Sequence, residues 1–311
     1  MADAFAVKEA AVPEAPEFVE LFTGRDLSAS ETEAITLRWP VQLVVLAGAE
    51  GSGKTTVLTS VYEQLSQGPF AGLQFAGSRS LLGFEQICHA NRIASGGVRP
   101  ATERTVPGDE ASYYHLALRP TKGGEQRRHV LLSALSGELY RWARNSREEC
   151  ERLTFLRRAD TIVVLVDGAR LASPEHRANA HADAAGILDS FLDARMVTPG
   201  CRVEFVFSKL DRIREAGASA LAFLAQTREK LETKFGSRVP GLALREIAAR
   251  PAQSAASEEL SGGLAAAFSA WIARRSASAI NGGPASVPTM NTREFMKFGW
   301  RHHHRIRKAK P

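Results

Sequence analysis

Cysteine is scarce: Cys88, Cys150 and Cys201 are the only three in 311 residues, far apart and without paired spacing. That scarcity excludes a disulfide-stapled fold and a zinc site built from cysteine pairs, so a reducing, cytoplasmic setting is expected. Long apolar runs are missing as well, and none approaches the ~20 residues that a membrane-spanning helix needs. The opening stretch MADAFAVKEAAVPEAPEF is acidic and has no basic segment leading into an apolar core, which is unlike a secretory signal. No internal repeat is visible. What is present is ordinary: 44% apolar and 24% charged residues, the balance of a soluble globular protein. The length suits one large domain with extensions, or two small ones.

The formal charge of +6 owes much to the terminal RHHHRIRKAKP, which holds five Lys or Arg residues. A solvated terminus is the simpler reading of that tail, ahead of a contact for nucleic acid or an acidic surface. Residues 1–36 read as a lead-in, partly disordered or a short helix. Residues 37–275 read as the domain, and 276–311 as an Ala-, Ser-, Gly- and Pro-rich linker followed by the basic tail. Within that last part REFMKFGW reads as a segment docking onto the domain.

Inside 37–275 strands alternate with helices. VQLVVLA (41–47) reads as a buried strand, TTVLTSVYEQLSQG as a helix closed by Gly68, and LQFAGS as a short strand. GFEQICHANRIASGG reads as a helix and loop, and SYYHLALRP with RRHVLLSAL as a hairpin. A charged helical stretch from Glu138 to Ala159 precedes the strand DTIVVLVDG. The helix NAHADAAGILDSFLDAR, the strand RVEFVF, the helix ALAFLAQTREKLETKF, the strand ALREIAAR and the helix SGGLAAAFSAWIARR complete the set. This order predicts a three-layer α/β domain with a mostly parallel central sheet, one antiparallel edge strand, and helices on both faces.

The first strand runs into Gly48-Ala49-Glu50-Gly51-Ser52-Gly53-Lys54-Thr55-Thr56, a P-loop, with strand before and helix after. A phosphate chain needs many donors converging at close range. Backbone amides supply them where Gly48, Gly51 and Gly53 let the chain wrap tightly. The helix that follows points its positive end at the same place. Lys54 is then the residue for the β- and γ-phosphates, and the Thr55 hydroxyl a ligand for Mg²⁺. The alternative is a plain Gly-rich turn.

The base is addressed by Ser208-Lys209-Leu210-Asp211, at the end of the strand VEFVF. Guanine presents two donors on one edge, and a carboxylate at Asp211 accepts both, a pairing that adenine cannot make. The Lys209 stem suits the face of the base. This resembles the Asn-Lys-x-Asp element of GTPases, with Ser208 in place of Asn. The bland alternative is that Lys209 and Asp211 merely close a strand.

In such GTPases a neighbouring strand ends in Asp-x-x-Gly, where Asp holds Mg²⁺ through water and Gly senses the γ-phosphate. Counting back from Gly137 puts Ala134 in the place of that Asp, and Ser133 faces the other way. Asp167, at the end of TIVVLVD, is the metal carboxylate on an ATPase reading, and a strand terminus on the GTPase reading, which order and spacing favour. Glu138 follows Gly137 and either orients the attacking water or starts a helix. A second Mg²⁺ ligand is expected at Thr102, with Thr105 as its rival. Arg99 and Arg104 beside them read as solvated loop residues ahead of charge-neutralising ones.

Taken with the stretch AGAEGSGKTTVLTSVYEQLSQGPFAGLQFAGSRSLLGFEQICHANRIASG, and with PATERT, YHLALR, LLSALSGELYR, RRADTIVVLVDGARL and FSKLD, the chain resembles the bacterial double-GTPase family of the TRAFAC class over residues 40–275. The resemblance implies a cytoplasmic GTP-binding regulatory domain acting with a second GTPase or an effector in conflict or signalling systems. It carries function onto Gly48, Gly53, Lys54, Thr55, Gly137, Glu138, Lys209 and Asp211. It expects Asp at Ala134, so a binding-only scaffold stands beside a slow or partner-stimulated GTPase.

Overall fold

The computed structural model describes residues 23–94, 111–122, 127–250 and 258–273. A helix α1 (Ala29–Thr36) opens with a capping box: Ser28 accepts from the Glu31 amide, and the Glu31 carboxylate accepts from the Ser28 amide at 2.8 Å. There follow β1 (Val41–Gly48), α2 (Lys54–Gln67), β2 (Leu73–Gly77), α3 (Leu81–Ala94), β3 (Ser112–Pro120) and β4 (Arg128–Ala134). After them come α4 (Gly137–Asn145), α5 (Arg147–Arg152), a 3-10 turn (Thr154–Arg158), β5 (Thr161–Val166), α6 (Gly168–Ala172) and α7 (Arg177–Asp193). The chain continues through β6 (Arg202–Phe207), α8 (Leu210–Glu215), α9 (Ala218–Phe235), β7 (Ala243–Glu246) and α10 (Glu258–Trp271).

The strands form one seven-stranded sheet in the order β2-β3-β4-β1-β5-β6-β7. All pairings from β4 to β7 are parallel, and the two antiparallel ones, β2–β3 and β3–β4, lie at one edge. The hairpin therefore stands where the sequence put it, with β2 added outside the reversed strand. The predicted charged helix is divided. Ser146 ends α4 and, in extended conformation, caps α5 by accepting from the Glu149 amide at 3.3 Å.

Period-two alternation sorts the strand side chains into two layers. Leu43, Val45, Ala47, Ile162, Val164 and Phe205 pack with Tyr140, Leu188, Phe191 and Phe235 from α4, α7 and α9. Val44, Leu46, Val163, Leu165 and Val206 pack with Val57, Val61, Phe84, Phe268 and Trp271 from α2, α3 and α10. Burying each large side chain contributes roughly 1.5–3 kcal/mol, so both helical layers are held firmly to the sheet. Leu27 and Ile35 join the first layer, Leu27 by bridging to Tyr113. The three cysteines are free thiols, two of them buried. Among the described residues no helix is long and apolar enough to cross a membrane.

The linker, REFMKFGW, the basic tail, and the loop carrying Arg99, Thr102, Arg104 and Thr105 lie outside the described residues.

Candidate functional site

β1 is the central strand, flanked by β4 and β5, and its register fixes what meets at its end. Val45 lies beside Ser133 of β4, and Gly48 beside Leu165 of β5. In a parallel sheet the clefts form at such carboxyl ends, where successive loops diverge. Here the loops after β1, β4, β5 and β6 converge.

The loop after β1 turns at Gly51 (φ 74°) and Gly53 (φ 96°), both in the left-handed region that favours glycine. Gly53 is the N-cap of α2 and offers no side chain, so the first amides of the helix face the loop. The Lys54 ammonium folds back over this loop and donates to the carbonyls of Gly48 at 2.8 Å and Ala49 at 3.0 Å. Its charge lies 5.7 Å from the Tyr140 ring centroid, at the base of α4. Burial pulls this ammonium down to about 8, and the Glu50 carboxylate acts weakly the other way. A lysine so placed is a cation held in a partly desolvated loop, suited to an incoming polyanion. Thr55 and Thr56 follow in the first turn of α2, both half-buried. The buried Ser52 hydroxyl points inward, and a Cβ on Gly48 would come within 2.6 Å of it.

β4 ends at Ala134, opposite Ser112 of β3. The chain then turns through Ser136, which caps α4 by accepting from the Glu138 amide at 3.3 Å. Gly137 presses against the P-loop. A Cβ there would strike the Glu50 amide and stand 2.6 Å from Glu50 Cα and 2.8 Å from the Ala49 carbonyl carbon. Glycine is required here by close approach, not by φ. Glu138 comes with it, half-buried on a cavity of about 710 Å³ that also contacts Ala49, Glu50 and Gly51.

The loops after β5 and β6 lock together. Ser208 is buried and donates through its amide to Val166 O at 3.0 Å and through its hydroxyl to Ser52 O at 2.8 Å. Lys209 adopts the left-handed conformation (φ 54°), and its ammonium donates to Gly51 O and Asp167 Oδ1, both at 2.8 Å. Asp167 Oδ1 also caps α6 by accepting from the Ala169 amide at 3.0 Å. A Cβ on Gly168 would run into the Ser208 carbonyl, so that glycine is also fixed by contact. Asp211 is buried in the first turn of α8, with Arg212 Nε 4.0 Å from its carboxylate.

The geometry therefore brings Gly48 to Thr56, Gly137, Glu138, Ser208, Lys209 and Asp211 to the carboxyl end of the sheet. It also shows features that the sequence reading missed. The loop after β7 flanks the Ser208–Asp211 turn, with the Leu210 amide donating to Ile247 O at 3.0 Å. Tyr140 lies beneath Lys54, and Arg141, Arg144, Arg170 and Asp183 line the cavity beside the P-loop. The cavity-lining residues come from three separate helices, α4, α6 and α7, and form no motif. The one available cue was the i, i+3 spacing of Glu138 and Arg141 on one helix face.

A family model described as Double-GTPase 2 matches residues 42–272 of the chain. No curated protein matches it.

Proposed function

The chain belongs to the Double-GTPase 2 family and so carries a GTPase-type domain, and from that premise we propose that it is a cytoplasmic GTP-dependent switch over residues 37–275, slow by itself or stimulated by a partner. GDP and GTP bind with their phosphates in the loop Gly48–Thr56, and Asp211 reads guanine while the Lys209 stem covers the base. The contact of Gly137 with Ala49 and Glu50 carries this reading, because it places the start of α4 against the loop that meets the terminal phosphate. A terminal phosphate there must displace or be read by the Gly137 segment, which couples nucleotide state to the position of α4. The partner that reads α4 is a second GTPase or an effector.

Thr55, in the first turn of α2, would hold Mg²⁺, and the ion would neutralise charge on the phosphates. Glu138, which lines the cavity beside the P-loop, would orient water toward the terminal phosphate. With Ala134 at the end of β4, no carboxylate from that strand position supports the metal. That residue favours the second reading, a scaffold that binds GTP without hydrolysing it. The use of Asp167 as metal ligand, which an ATPase needs, fits poorly, since its Oδ1 already caps α6 and pairs with Lys209.

Calorimetric titration with GTP, GDP and ATP, each with Mg²⁺, tests the proposal. Guanine nucleotides should bind and ATP should not compete. Asp211→Ala should weaken GTP by roughly ten- to a hundredfold while leaving ATP unchanged. ATP binding equal to GTP, unaltered by Asp211→Ala, sinks guanine recognition. Single-turnover hydrolysis by wild type and Ala134→Asp separates switch from scaffold: an inert wild type rescued by the new carboxylate decides for the scaffold.

A further inference from the structure

Three arginines line the cavity beside the P-loop: Arg141 and Arg144 of α4, and Arg170 of α6. They are not equivalent. Arg144 lays its stem across Gly186 of α7, where a Cβ would stand 2.7 Å from its Cδ, and pairs with Asp183 Oδ1. Arg170 reaches the other oxygen of the same carboxylate at 2.6 Å. Asp183 thus clamps two guanidinium groups, and both are committed to fastening α4 and α6 to α7. Arg141 stands outside that clamp. It is exposed, it faces the same cavity, and it lies one helical turn after Glu138, on the same face of α4.

We propose that Arg141 is a phosphate-binding residue that reaches the terminal phosphate of GTP from within the chain. This rests on the nucleotide reading of the site given above. The cavity it lines opens on Ala49, Glu50 and Gly51, the first half of the P-loop, and on Gly137 and Glu138. The carboxylates of Glu50 and Glu138 also line it, and with Arg144 and Arg170 tied to Asp183, Arg141 is the lining cation left to meet a terminal phosphate there. A guanidinium donates in a fixed fork that matches phosphate oxygens, and it remains charged throughout the physiological range. Gly137 sets the start of α4 against the P-loop, and the Asp183 clamp ties its end to α7, so Arg141 is carried beside the P-loop on a helix hinged at that clamp. The β-phosphate of GDP lies deeper in the loop, toward Lys54 and Thr55. Arg141 therefore distinguishes the triphosphate from the diphosphate.

Calorimetry on the full chain, with Mg²⁺, GDP and the slowly hydrolysed analogue GTPγS, provides the test. Arg141→Ala should weaken GTPγS by about tenfold or more and leave GDP within about twofold of wild type. Unchanged GDP affinity also reports an intact fold. Arg141→Lys should recover part of the loss, since it keeps the charge and loses the fork. Equal affinity for GTPγS in Arg141→Ala and wild type overturns the assignment, as does parallel weakening of both nucleotides. A wild type that binds neither nucleotide overturns the site itself, a result distinguishable from a change confined to Arg141.

Discussion

The Ser208 hydroxyl donates to the Ser52 carbonyl at 2.8 Å, joining the end of β6 to the middle of the P-loop across 156 positions of sequence. The same side chain lies 3.2 Å from Val166 O. A serine in place of the usual asparagine thus still braces the phosphate loop. Ser208→Ala removes that brace from a buried carbonyl and should cost about 0.5–1.5 kcal/mol of stability. Nucleotide affinity should fall several-fold with it, for GTP and GDP alike. Denaturant melts together with paired titrations measure both effects, and a loss confined to one nucleotide contradicts the bracing role.

Lys54 sets a pH signature. In the folded chain burial holds it at about 8, against 10.5 for an exposed lysine. Phosphates favour the charged form, so nucleotide binding should take up protons near and above pH 8, and affinity should weaken as pH rises past that value. Calorimetry in buffers of different ionisation heat reads the uptake directly. For folding the sign is opposite: the unfolded chain binds more protons between about 8 and 10.5, so stability should rise with pH across that window. Lys54→Met removes the buried charge and should raise the melting temperature of the nucleotide-free protein at pH 7 while abolishing tight binding.

Gly137→Ala places a methyl group against the backbone of Ala49 and Glu50. The backbone cannot swing aside as a side chain would, so α4 must shift from the P-loop. Hydrolysis, where present, should fall at least about tenfold, because a displacement of about 1 Å at a reacting group is enough for such losses. GDP should still bind. Wild-type hydrolysis and wild-type GTP/GDP discrimination in this variant would remove the coupling proposed for α4.

A second titration lies on the hairpin of β3 and β4. His115 of β3 accepts from the Arg79 amide at 3.1 Å, which fixes its other nitrogen, 3.0 Å from His129 Nδ1, as the donor. The Trp39 ring stacks on His129 at 4.5 Å. Burial first, then the charges of His129 and Arg79, lowers His115 to about 4 from 6.5. The unfolded chain therefore binds protons between 6.5 and 4 that the folded chain refuses. Stability should be fully present above pH 6.5 and decline as pH falls through that window. Melting curves from pH 7 to 5 should drop more steeply for wild type than for His115→Gln; equal slopes would show that this pair does not govern acid sensitivity.

Much of the candidate site was legible because local chemistry and position coincide there. The P-loop announces itself through glycines placed between an apolar strand and a helix, and Lys209 and Asp211 follow a fully apolar strand end. The hairpin was legible through its period-two pattern and the glycines between its strands. What stayed hidden depends on tertiary register. That β2 lies outside the reversed strand β3 follows from pairing, not from the sequence of either strand. The break between α4 and α5 turns on the single extended residue Ser146, and the capping box from Ser28 to Glu31 was a readable signal left unread. The arginines around Asp183 gain meaning only when α4, α6 and α7 meet.

The interlocked turns after β5 and β6 bear on any attempt to redesign nucleotide choice. Lys209 holds Gly51 and Asp167 with one ammonium, and Gly168 fits beneath the Ser208 carbonyl with no clearance. If Asp211 reads guanine as proposed, editing its turn in isolation would therefore disturb the P-loop next door, and a variant evolved to accept adenine must rebuild two neighbouring loops in concert.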